Sequence, residues 1–505
     1  MSETGKKPVH KAAEADIKRK TARRDNGKTD FRGGQKKPFR KENFRKADTG
    51  RPKAKTETEG MPARRIALRV IRQVTEQGAY ASLSLDKALE NCGLISADRR
   101  LVSRLVYDTL DHLIYLDHVL DQVMARKDTD IKLKNILRLG ACQILLEDRI
   151  PESAATDTSV RLCEETGMEG LKGVCNGILR NLIRKKDELD FPDPEKEPDK
   201  AEAIRLSVPE WLWKKLKETY GREEAEEIVT HRETAETWNV RPNLTKVSDE
   251  EFEAVLSRKV WEKEKTDLPH AWKVRGAMNI ARDADFLNGT FSIMTKGSMM
   301  ACLAMDVKRG KQILDCCAAP GGKTCFLAEL MGGTGRVQAW DIHEHRTALI
   351  EAQAKRLGLE NVRPMVRDAA KKREDLIHSM DGVLLDAPCT GTGMMAEKPD
   401  MKLRITEQSL EELTEIQRKL LDTVCEYVRP GGTLVYSTCS VLEEENEKQA
   451  VDFLQRHPEF EACDLPDTIP ARYREHRKTG LQLLPRRDGT EGFYLCRMRR
   501  KAEDQ

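Results

Sequence analysis

The sequence predicts an all-α domain, a small α+β domain and a doubly wound α/β domain, in that order along the chain. Between residues 62 and 186, apolar side chains recur at helical spacing and strand-like runs are nearly absent. Between residues 290 and 500, short apolar runs alternate with amphipathic helical segments, which is the pattern of a doubly wound parallel sheet. The stretch between these regions mixes both patterns, and we therefore predict a separate small module there.

The composition is that of a highly charged protein with several domains. The chain has 505 residues, of which 39% are hydrophobic and 34% are charged, and its mean hydropathy is −0.63. No apolar run approaches the roughly 18 residues of a membrane span, and the first residues contain no apolar signal-peptide core. We therefore expect a cytoplasmic location and no membrane partner. The 13 cysteines form no Cys-x-x-Cys pair, so neither a disulfide framework nor a metal site is expected.

The positive charge of the chain is concentrated at its N-terminus. Residues 1–60 contain 19 lysines and arginines against 9 acidic residues, and they have almost no aliphatic side chains. Such a segment buries too little apolar surface to fold alone, so we predict a disordered basic tail. Phenylalanines interleaved with the basic residues fit an RNA-binding tail, but a solubilising tail fits equally well.

The predicted domain boundaries follow changes in composition. The helical domain spans residues 61–186, and a polar linker that contains prolines follows at 187–203. Helical stretches and one strand-like run predict the α+β module at residues 204–288. The α/β domain takes up residues 289–500, and the run Gly492–Arg497 is predicted as a last strand at the edge of its sheet.

Two cysteines of the α/β domain come directly after strand-like runs. The run 381–386 leads into Ala-Pro-Cys389, and the run 432–436 leads into Ser-Thr-Cys439. Residues just past the carboxyl ends of parallel strands share one crevice, in which ligands bind. We therefore expect both thiols to face the same bound molecule.

A glycine-rich turn, Cys317-Ala-Ala-Pro-Gly-Gly-Lys323, follows the first predicted strand of this domain. A Walker phosphate loop requires a glycine where Cys317 stands, so ATP hydrolysis is disfavoured. A glycine turn followed by an acid about 20 residues later fits an adenosine nucleoside, with Asp341 accepting hydrogen bonds from the ribose hydroxyls. Asp341, Asp368 and Asp386 all lie at strand ends, where they would repel a pyrophosphate. Because they suit sulfonium and ammonium groups, they favour S-adenosylmethionine over a nicotinamide dinucleotide.

The motifs around these residues resemble those of the RsmB/Nop2/Sun family of RNA cytosine-5 methyltransferases. The similar segments of the α/β domain are 315–324, 386–393, 398–404, 436–441, 443–446 and 484–492. The helical domain resembles a NusB-type RNA-binding domain in segments 99–110, 136–145, 149–155 and 174–180. The resemblance covers residues 62–500. It implies a Rossmann-like, S-adenosylmethionine-dependent catalytic domain and an RRM-like fold for the small α+β module.

The resemblance also implies roles for individual residues. Cys439 matches the nucleophile and Cys389 the thiol that releases the product, whereas the Pro-Cys motif of DNA cytosine-5 methyltransferases would make Cys389 the nucleophile. The residues implied to line the cofactor are Cys317, Ala318, Ala319, Pro320, Gly321, Gly322, Lys323, Asp341, Asp368 and Asp386. Arg346 is a weaker candidate, since a solvated surface position explains it nearly as well. Met294–Ser298 departs from the family pattern, so no cofactor contact is implied there.

A pair of cysteines fits methylation of C5 of cytosine. This carbon becomes nucleophilic once a thiolate has added to C6, and Asp386 is expected to stabilise the adduct near N3 and N4 of the base. The NusB-like domain implies 16S ribosomal RNA as the substrate, and we expect a monomer without a metal. The alternatives are the same chemistry on transfer RNA or 23S ribosomal RNA, a non-catalytic RNA-binding protein, and a nicotinamide oxidoreductase.

Overall fold

A computed structural model describes residues 60–90, 92–231, 237–277, 280–475 and 478–502. The chain forms two compact units that divide between Trp213 and Lys214. The basic tail predicted at residues 1–60 lies outside the described residues, apart from Gly60. In the described part of the chain, no helix combines the length and the apolar character needed to cross a membrane.

The first unit is built from α-helices and contains no strand in its described residues. Its helices are α1 (Met61–Gln77), α2 (Ala81–Leu89), α3 (Ser96–Asp111), α4 (Leu113–Val123), α5 (Ile131–Leu146), α6 (Glu152–Glu165), α7 (Lys172–Lys185) and α8 (Pro198–Leu206). Helix α8 occupies the end of the stretch predicted as a linker. Ala201, Ala203, Ile204 and Leu206 of this helix are buried, so this part of the chain packs within the unit.

Helix α5 lies at the centre of the helical unit, and 11 of its 16 residues are buried. Its buried polar side chains have partners. Gln143 Oε1 accepts a hydrogen bond of 2.7 Å from Arg64 Nε, and Arg138 donates two hydrogen bonds of 2.7 Å to the carboxylate of Asp117. Gly140 permits close helix packing, because a Cβ there would lie 2.8 Å from a methyl group of Leu179. A helix with polar groups can therefore occupy the core.

The second unit contains two sheets, of which the smaller has four antiparallel strands in the order β2–β3–β1–β4. They are β1 (Trp238–Pro242), β2 (Glu262–Lys265), β3 (Trp272–Arg275) and β4 (Phe291–Ile293). Helix α9 (Glu210–Tyr220) contains the division between the units, and α10 (Arg222–Thr230), α11 (Asp249–Ser257) and α12 (Ala284–Leu287) follow. Phe252 of α11 packs edge-on against Trp272 on one face of the sheet. This module extends past residue 288, because β4 belongs to its sheet.

The larger sheet has eight strands, with the order β10–β12–β9–β8–β5–β6–β7 and β11 also paired with β12. They are β5 (Gln312–Asp315), β6 (Arg336–Asp341), β7 (Val362–Val366), β8 (Met380–Asp386), β9 (Val428–Thr438), β10 (Phe460–Ala462), β11 (Leu481–Leu483) and β12 (Phe493–Arg500). Strands β5 to β9 are parallel to one another, and β10 to β12 add antiparallel pairs. This sheet confirms the predicted doubly wound class.

One prediction about this sheet is wrong. The last strand, β12, was expected at the edge of the sheet, but β10 and β11 both pair with it on the side away from β9. Each of these two strands has three residues. A run of three residues is too short for alternation of apolar and polar side chains to predict a strand.

Helices cover both faces of the larger sheet. They are α13 (Lys296–Ala304), α14 (Gly322–Leu330) and α15 (Glu344–Leu357) on one face, and α16 (Glu407–Val424) and α17 (Glu447–Arg456) on the other. Two short helices, α18 (Ala471–Glu475) and α19 (Pro485–Asp488), follow. Neighbouring strand residues alternate between the two cores, as Ile313 and Leu314 do. Because both faces are buried, polar functional groups of the strands lie at their ends.

Candidate active site

The cysteines at positions 389 and 439 lie side by side at the carboxyl edge of the larger sheet. Strands β8 and β9 are parallel neighbours, with Asp386 opposite Ser437. Each strand leads into one of the two cysteines, and the two Sγ atoms are 3.4 Å apart. The crevice at the ends of these strands therefore contains a close pair of thiols, both of which are half-buried.

Backbone hydrogen bonds hold the two cysteine loops together. Ala387 N donates to Ser437 O at 2.9 Å, and Gly393 N donates to Cys439 O at 2.9 Å. Gly492 N then donates to Gly393 O at 3.0 Å. A Cβ at position 393 would lie 1.8 Å from Gly492 O, so this approach requires glycine. The relative position of the thiols is thus fixed by the main chain.

A buried carboxylate, Glu445, anchors the loop of Cys389 through hydrogen bonds. Glu445 Oε1 accepts hydrogen bonds from Thr390 N at 2.8 Å and from Gln417 Nε2 at 3.0 Å, and its Oε2 accepts one of 2.5 Å from Thr390 Oγ1. Glu445 has no exposed surface and no ion-pair partner among the described residues. In the sequence, segment 443–446 stood out only through its resemblance to a family. The burial of Glu445 depends on contacts with residues far away in the sequence, so the local sequence pattern could not predict it.

The two thiols differ in their affinity for a proton. The hydrogen bond with Cys389 lowers the pKa of Cys439, against the opposing effects of burial and of the Asp386 carboxylate. The ammonium groups of Lys323 and Lys398 also lower it. The hydrogen bond with Cys439, burial and the carboxylate of Glu445 together raise the pKa of Cys389. The hydrogen bond between the two sulfurs therefore favours a thiolate at Cys439 beside a neutral thiol at Cys389.

Lys323 and Asp386 form an ion pair next to the thiols. Lys323 Nζ donates a hydrogen bond of 2.6 Å to Asp386 Oδ2, and Ser437 Oγ donates one of 2.8 Å to Asp386 Oδ1. Burial disfavours the charge of Lys323, but the attraction and the hydrogen bond of Asp386 outweigh it and raise the Lys323 pKa. The ammonium group also lies 5.5 Å from the ring centroid of Phe493. Lys323 is therefore a cation at the crevice.

The glycine-rich turn connects β5 to α14. Gly321 has a φ of 104°, which favours glycine, and a Cβ there would lie 3.0 Å from Ile350 Cα. A Cβ at Gly322 would meet no atom within 4 Å, so this residue faces open space. Ala318 N donates to Trp340 O at 2.8 Å, which ties the turn to β6. The turn thus presents backbone to the crevice at the end of β5.

Acidic residues follow the neighbouring strands. Asp341 Oδ1 accepts a hydrogen bond of 3.1 Å from His343 N, and its Oδ2 lies 3.3 Å from an Arg346 nitrogen. Arg346 also donates to Ala319 O at 3.2 Å, so it links Asp341 to the glycine-rich turn. Asp368 Oδ1 accepts a hydrogen bond of 3.0 Å from Ala370 N. These carboxylates keep further lone pairs for a ligand.

A further acid beneath the turn was not among the candidates from the sequence. Asp315 ends β5 and is buried, and its Oδ2 accepts a hydrogen bond of 2.6 Å from Thr324 Oγ1. Its Oδ1 has no hydrogen-bond partner among the described residues. Burial raises the pKa of Asp315 to about 7. Cys317 at the start of the turn is a neutral thiol, because burial raises its pKa.

Family models match most of the described chain. The model described as 16S rRNA methyltransferase RsmB/F matches residues 302–499, and the NusB family model matches residues 61–184. A probable ribosomal RNA small subunit methyltransferase B from Bacillus subtilis is 35% identical over 443 residues, which are 87% of this chain and 98% of that protein.

Solved structures show the same fold. The crystal structure of PH0851 is 27% identical, covers 88% of this chain and 100% of its own, and has a TM-score of 0.74. A methyltransferase homologue from Pyrococcus horikoshii is also 27% identical and covers 61% of this chain and 99% of its own, with a TM-score of 0.52.

A doubly wound sheet whose first parallel strand runs into a glycine-rich turn, with acids after the strands beside it, is an arrangement that binds adenosine-containing cofactors. The family match identifies this one as the sheet of an S-adenosylmethionine-dependent methyltransferase. The chain is a member of the RsmB/F family of 16S rRNA methyltransferases, and it is an S-adenosylmethionine-dependent rRNA methyltransferase of that family. Its N-terminal unit contains a NusB domain. The predicted family, fold class and cofactor are thereby confirmed.

Proposed function

We propose that this protein methylates C5 of a cytosine in 16S ribosomal RNA through a covalent bond between Cys439 and C6 of the base. The observation that carries this proposal is the separation of 3.4 Å between the sulfurs of Cys389 and Cys439, at the sheet edge where the glycine-rich turn also lies. The names of the family model and of the Bacillus subtilis relative support 16S rRNA as the substrate.

Cys439 acts as the nucleophile. Its lowered pKa increases the fraction of thiolate near neutral pH, and the thiolate is the reactive form of cysteine. Addition of the sulfur to C6 moves the electron pair of the C5–C6 double bond towards C5, which becomes nucleophilic. Asp386 keeps acceptor capacity beyond its bonds to Lys323 and Ser437, so it can accept a hydrogen bond from the amino group of the base.

Cys389 acts in the release of the product. After methyl transfer, the C5 proton passes to solvent water, and the electron pair of the C5–H bond forms the C5–C6 double bond again. The bond between C6 and Cys439 breaks, and its electron pair stays on the sulfur as a thiolate. Cys389 lies within hydrogen-bond distance of the sulfur that leaves. Its raised pKa keeps it a neutral thiol, which can stabilise the departing thiolate by donating a hydrogen bond.

The residues around the glycine-rich turn fit S-adenosylmethionine, which supplies an electrophilic methyl group on a sulfonium. Gly322 leaves open space in which a ligand can approach the backbone, and Asp341 and Asp386 end the two strands that flank β5. We assign the cofactor to the turn from Cys317 to Lys323 together with Asp341, Asp368 and Asp386. Asp341 would accept hydrogen bonds from the ribose, and Arg346 would hold Asp341 against the turn.

The proposal is tested by the fate of the hydrogen on C5. RNA that carries tritium at C5 of cytosine should release tritium to water in step with methyl transfer, because C5 methylation replaces that hydrogen. Bisulfite sequencing then maps the position. Transcripts of 16S rRNA, 23S rRNA and transfer RNA are compared as substrates, with the Cys439→Ala variant as the inactive control. Methyl transfer without release of tritium would contradict methylation at C5, and transfer to another RNA would contradict the substrate.

A further inference from the structure

A basic recess lies between the smaller sheet and helix α13, within the second unit. It has a volume of about 640 Å³ and is open to solvent on one side. Strands β2 and β3 form one wall, and α13 and the segment that contains α18 form the other. The positive side chains that line it are Lys273, Arg275, Lys296 and Arg472. Lys265 borders the recess, but it pairs with Trp272 and its ammonium group lies 5.2 Å from that ring, on the opposite face of the sheet.

The register of the smaller sheet explains why cations line this recess. Trp272 and Val274 of β3 are buried in the core of the module, so the alternate residues Lys273 and Arg275 point to the opposite face. Asn239 of β1 stands directly opposite Lys273 and also lines the recess. The polar face of the sheet is therefore one continuous wall.

The acidic residues in the recess do not balance its positive charge. Two carboxylates, Asp267 and Glu264, stand among four cations, which leaves an excess of two positive charges. Asp267 pairs with both Lys296, at 3.0 Å, and Arg472, at 2.5 Å, and thereby holds these two cations in place. Glu264 and Arg275 are 3.6 Å apart and largely exposed, so their attraction is weakened by solvent.

The recess is joined to the reaction crevice through side chains in contact. Gly297, next to Lys296, packs against Phe493, because a Cβ at Gly297 would lie 2.5 Å from the ring. The same ring lies 5.5 Å from Lys323 Nζ, and Lys323 donates a hydrogen bond to Asp386. Gly297 and Phe493 are buried, so these contacts fix the position of the recess relative to the crevice.

We propose that this recess binds backbone phosphates of the substrate RNA next to the target nucleotide. The inference rests on the proposed RNA substrate and adds a site for its phosphates. A concave surface with an excess of cations and no aromatic stacking platform among its lining residues recognises the charge of the backbone rather than base identity. The contact would fix the register of the strand while the base enters the crevice.

The test removes two charges of the recess with Lys273→Gln/Arg275→Gln in the full chain. Binding of a 16S rRNA fragment is measured over a series of potassium chloride concentrations. Two lost phosphate contacts should lower the slope of log affinity against log salt by about 1.4 and weaken binding about tenfold at 0.15 M salt. The KM for RNA should rise, and kcat at saturating RNA should stay close to that of the wild type.

Lys308→Gln is the matched control, because Lys308 is an exposed lysine before β5, at the amino edge of the larger sheet. It should leave both the slope and the affinity unchanged. Equal binding of S-adenosylmethionine by all variants shows that they are folded. An unchanged salt slope in the double variant would overturn the inference, even if tritium release supports the proposed function. A reduced slope together with no tritium release would support the phosphate site and contradict methylation at C5.

Discussion

The loops that carry Cys389 and Cys439 lie at the same edge of the same sheet, yet they differ in the charges around their sulfurs. Cys439 is near the ammonium groups of Lys323 and Lys398 and the carboxylate of Asp386, whereas Cys389 is near the carboxylate of Glu445. The two sulfurs are 3.4 Å apart, so depth and solvent access differ little between them. The difference in proton affinity therefore comes first from the hydrogen bond between the thiols and then from the neighbouring charges.

This comparison bears on a question that the motifs left open. A Pro-Cys motif makes Cys389 the candidate nucleophile by analogy with DNA cytosine-5 methyltransferases, and the family resemblance makes it Cys439. A cysteine reacts as the thiolate, and positive neighbours favour that form. The hydrogen bond between the sulfurs, together with Lys323 and Lys398, therefore favours Cys439 as the nucleophile despite the nearby carboxylate of Asp386. Each of the following variants changes one side of the comparison.

The largest effect is expected for Cys439→Ala. Without the nucleophile, C5 cannot be activated, and methyl transfer should fall by roughly 10⁴-fold or more. The measurement is transfer of a labelled methyl group to 16S rRNA, with retained binding of S-adenosylmethionine as evidence of folding. Cys463→Ala, which removes a half-buried thiol beside the edge strand β10, is the control and should remain active. Substantial methyl transfer by Cys439→Ala would contradict the assignment of Cys439 as the nucleophile.

Cys389→Ala should instead block release of the product. Because Cys439 can still add to the base, we expect a covalent complex of RNA and protein that survives denaturing electrophoresis. The double variant Cys389→Ala/Cys439→Ala should form none of this complex. If the complex accumulates in Cys439→Ala and is missing in Cys389→Ala, the two cysteines have the opposite roles.

The sequence predicted the features of this site that follow from local pattern and one topological rule. Apolar runs indicated the strands, and the rule that ligands bind beyond their carboxyl ends predicted that Cys389 and Cys439 face one crevice. Asp341 and Asp386 end their strands, as the pattern indicated. The predicted fold class needed no knowledge of contacts between distant parts of the chain.

Other features depend on such contacts and could not be predicted. The role of Glu445 follows from hydrogen bonds to Thr390 and Gln417, which are 55 and 28 residues away in the sequence. The ion pair of Lys323 with Asp386 joins residues 63 positions apart. Strands β10 and β11 are too short to show a period. Helix α8 lies in a polar stretch that contains prolines, and Pro198 is tolerated because it occupies the first turn of the helix.

Glu445→Gln should reduce the difference between the two thiols. Glutamine keeps an oxygen that can accept the hydrogen bond of Thr390 N, but it removes the negative charge that raises the pKa of Cys389. Cys389 should then ionise more readily, and the share of iodoacetamide label on Cys389 relative to Cys439 should rise severalfold at pH 8, as measured by mass spectrometry. If Glu445 has only a structural role, Glu445→Gln should change the ratio of label on the two cysteines only by unfolding the protein. A thermal melt of the variant detects such unfolding. An unchanged distribution of label in a folded variant would contradict the electrostatic effect.

The smallest effect is expected for Lys398→Gln. Lys398 is exposed, and its charge contributes to the lowered pKa of Cys439, so its removal should move the pH dependence of Cys439 alkylation towards higher pH. Solvent and salt screen an exposed charge, so the shift should be small at low salt and should vanish at about 1 M salt, where the Debye length is about 3 Å. Lys371→Gln, which removes an exposed lysine beside Asp368, should leave the profile unchanged. If Lys398→Gln has no effect at low salt, the hydrogen bond from Cys389 and the ammonium group of Lys323 account for the lowered pKa of Cys439. In that case, added salt should leave the pH dependence of Cys439 alkylation unchanged.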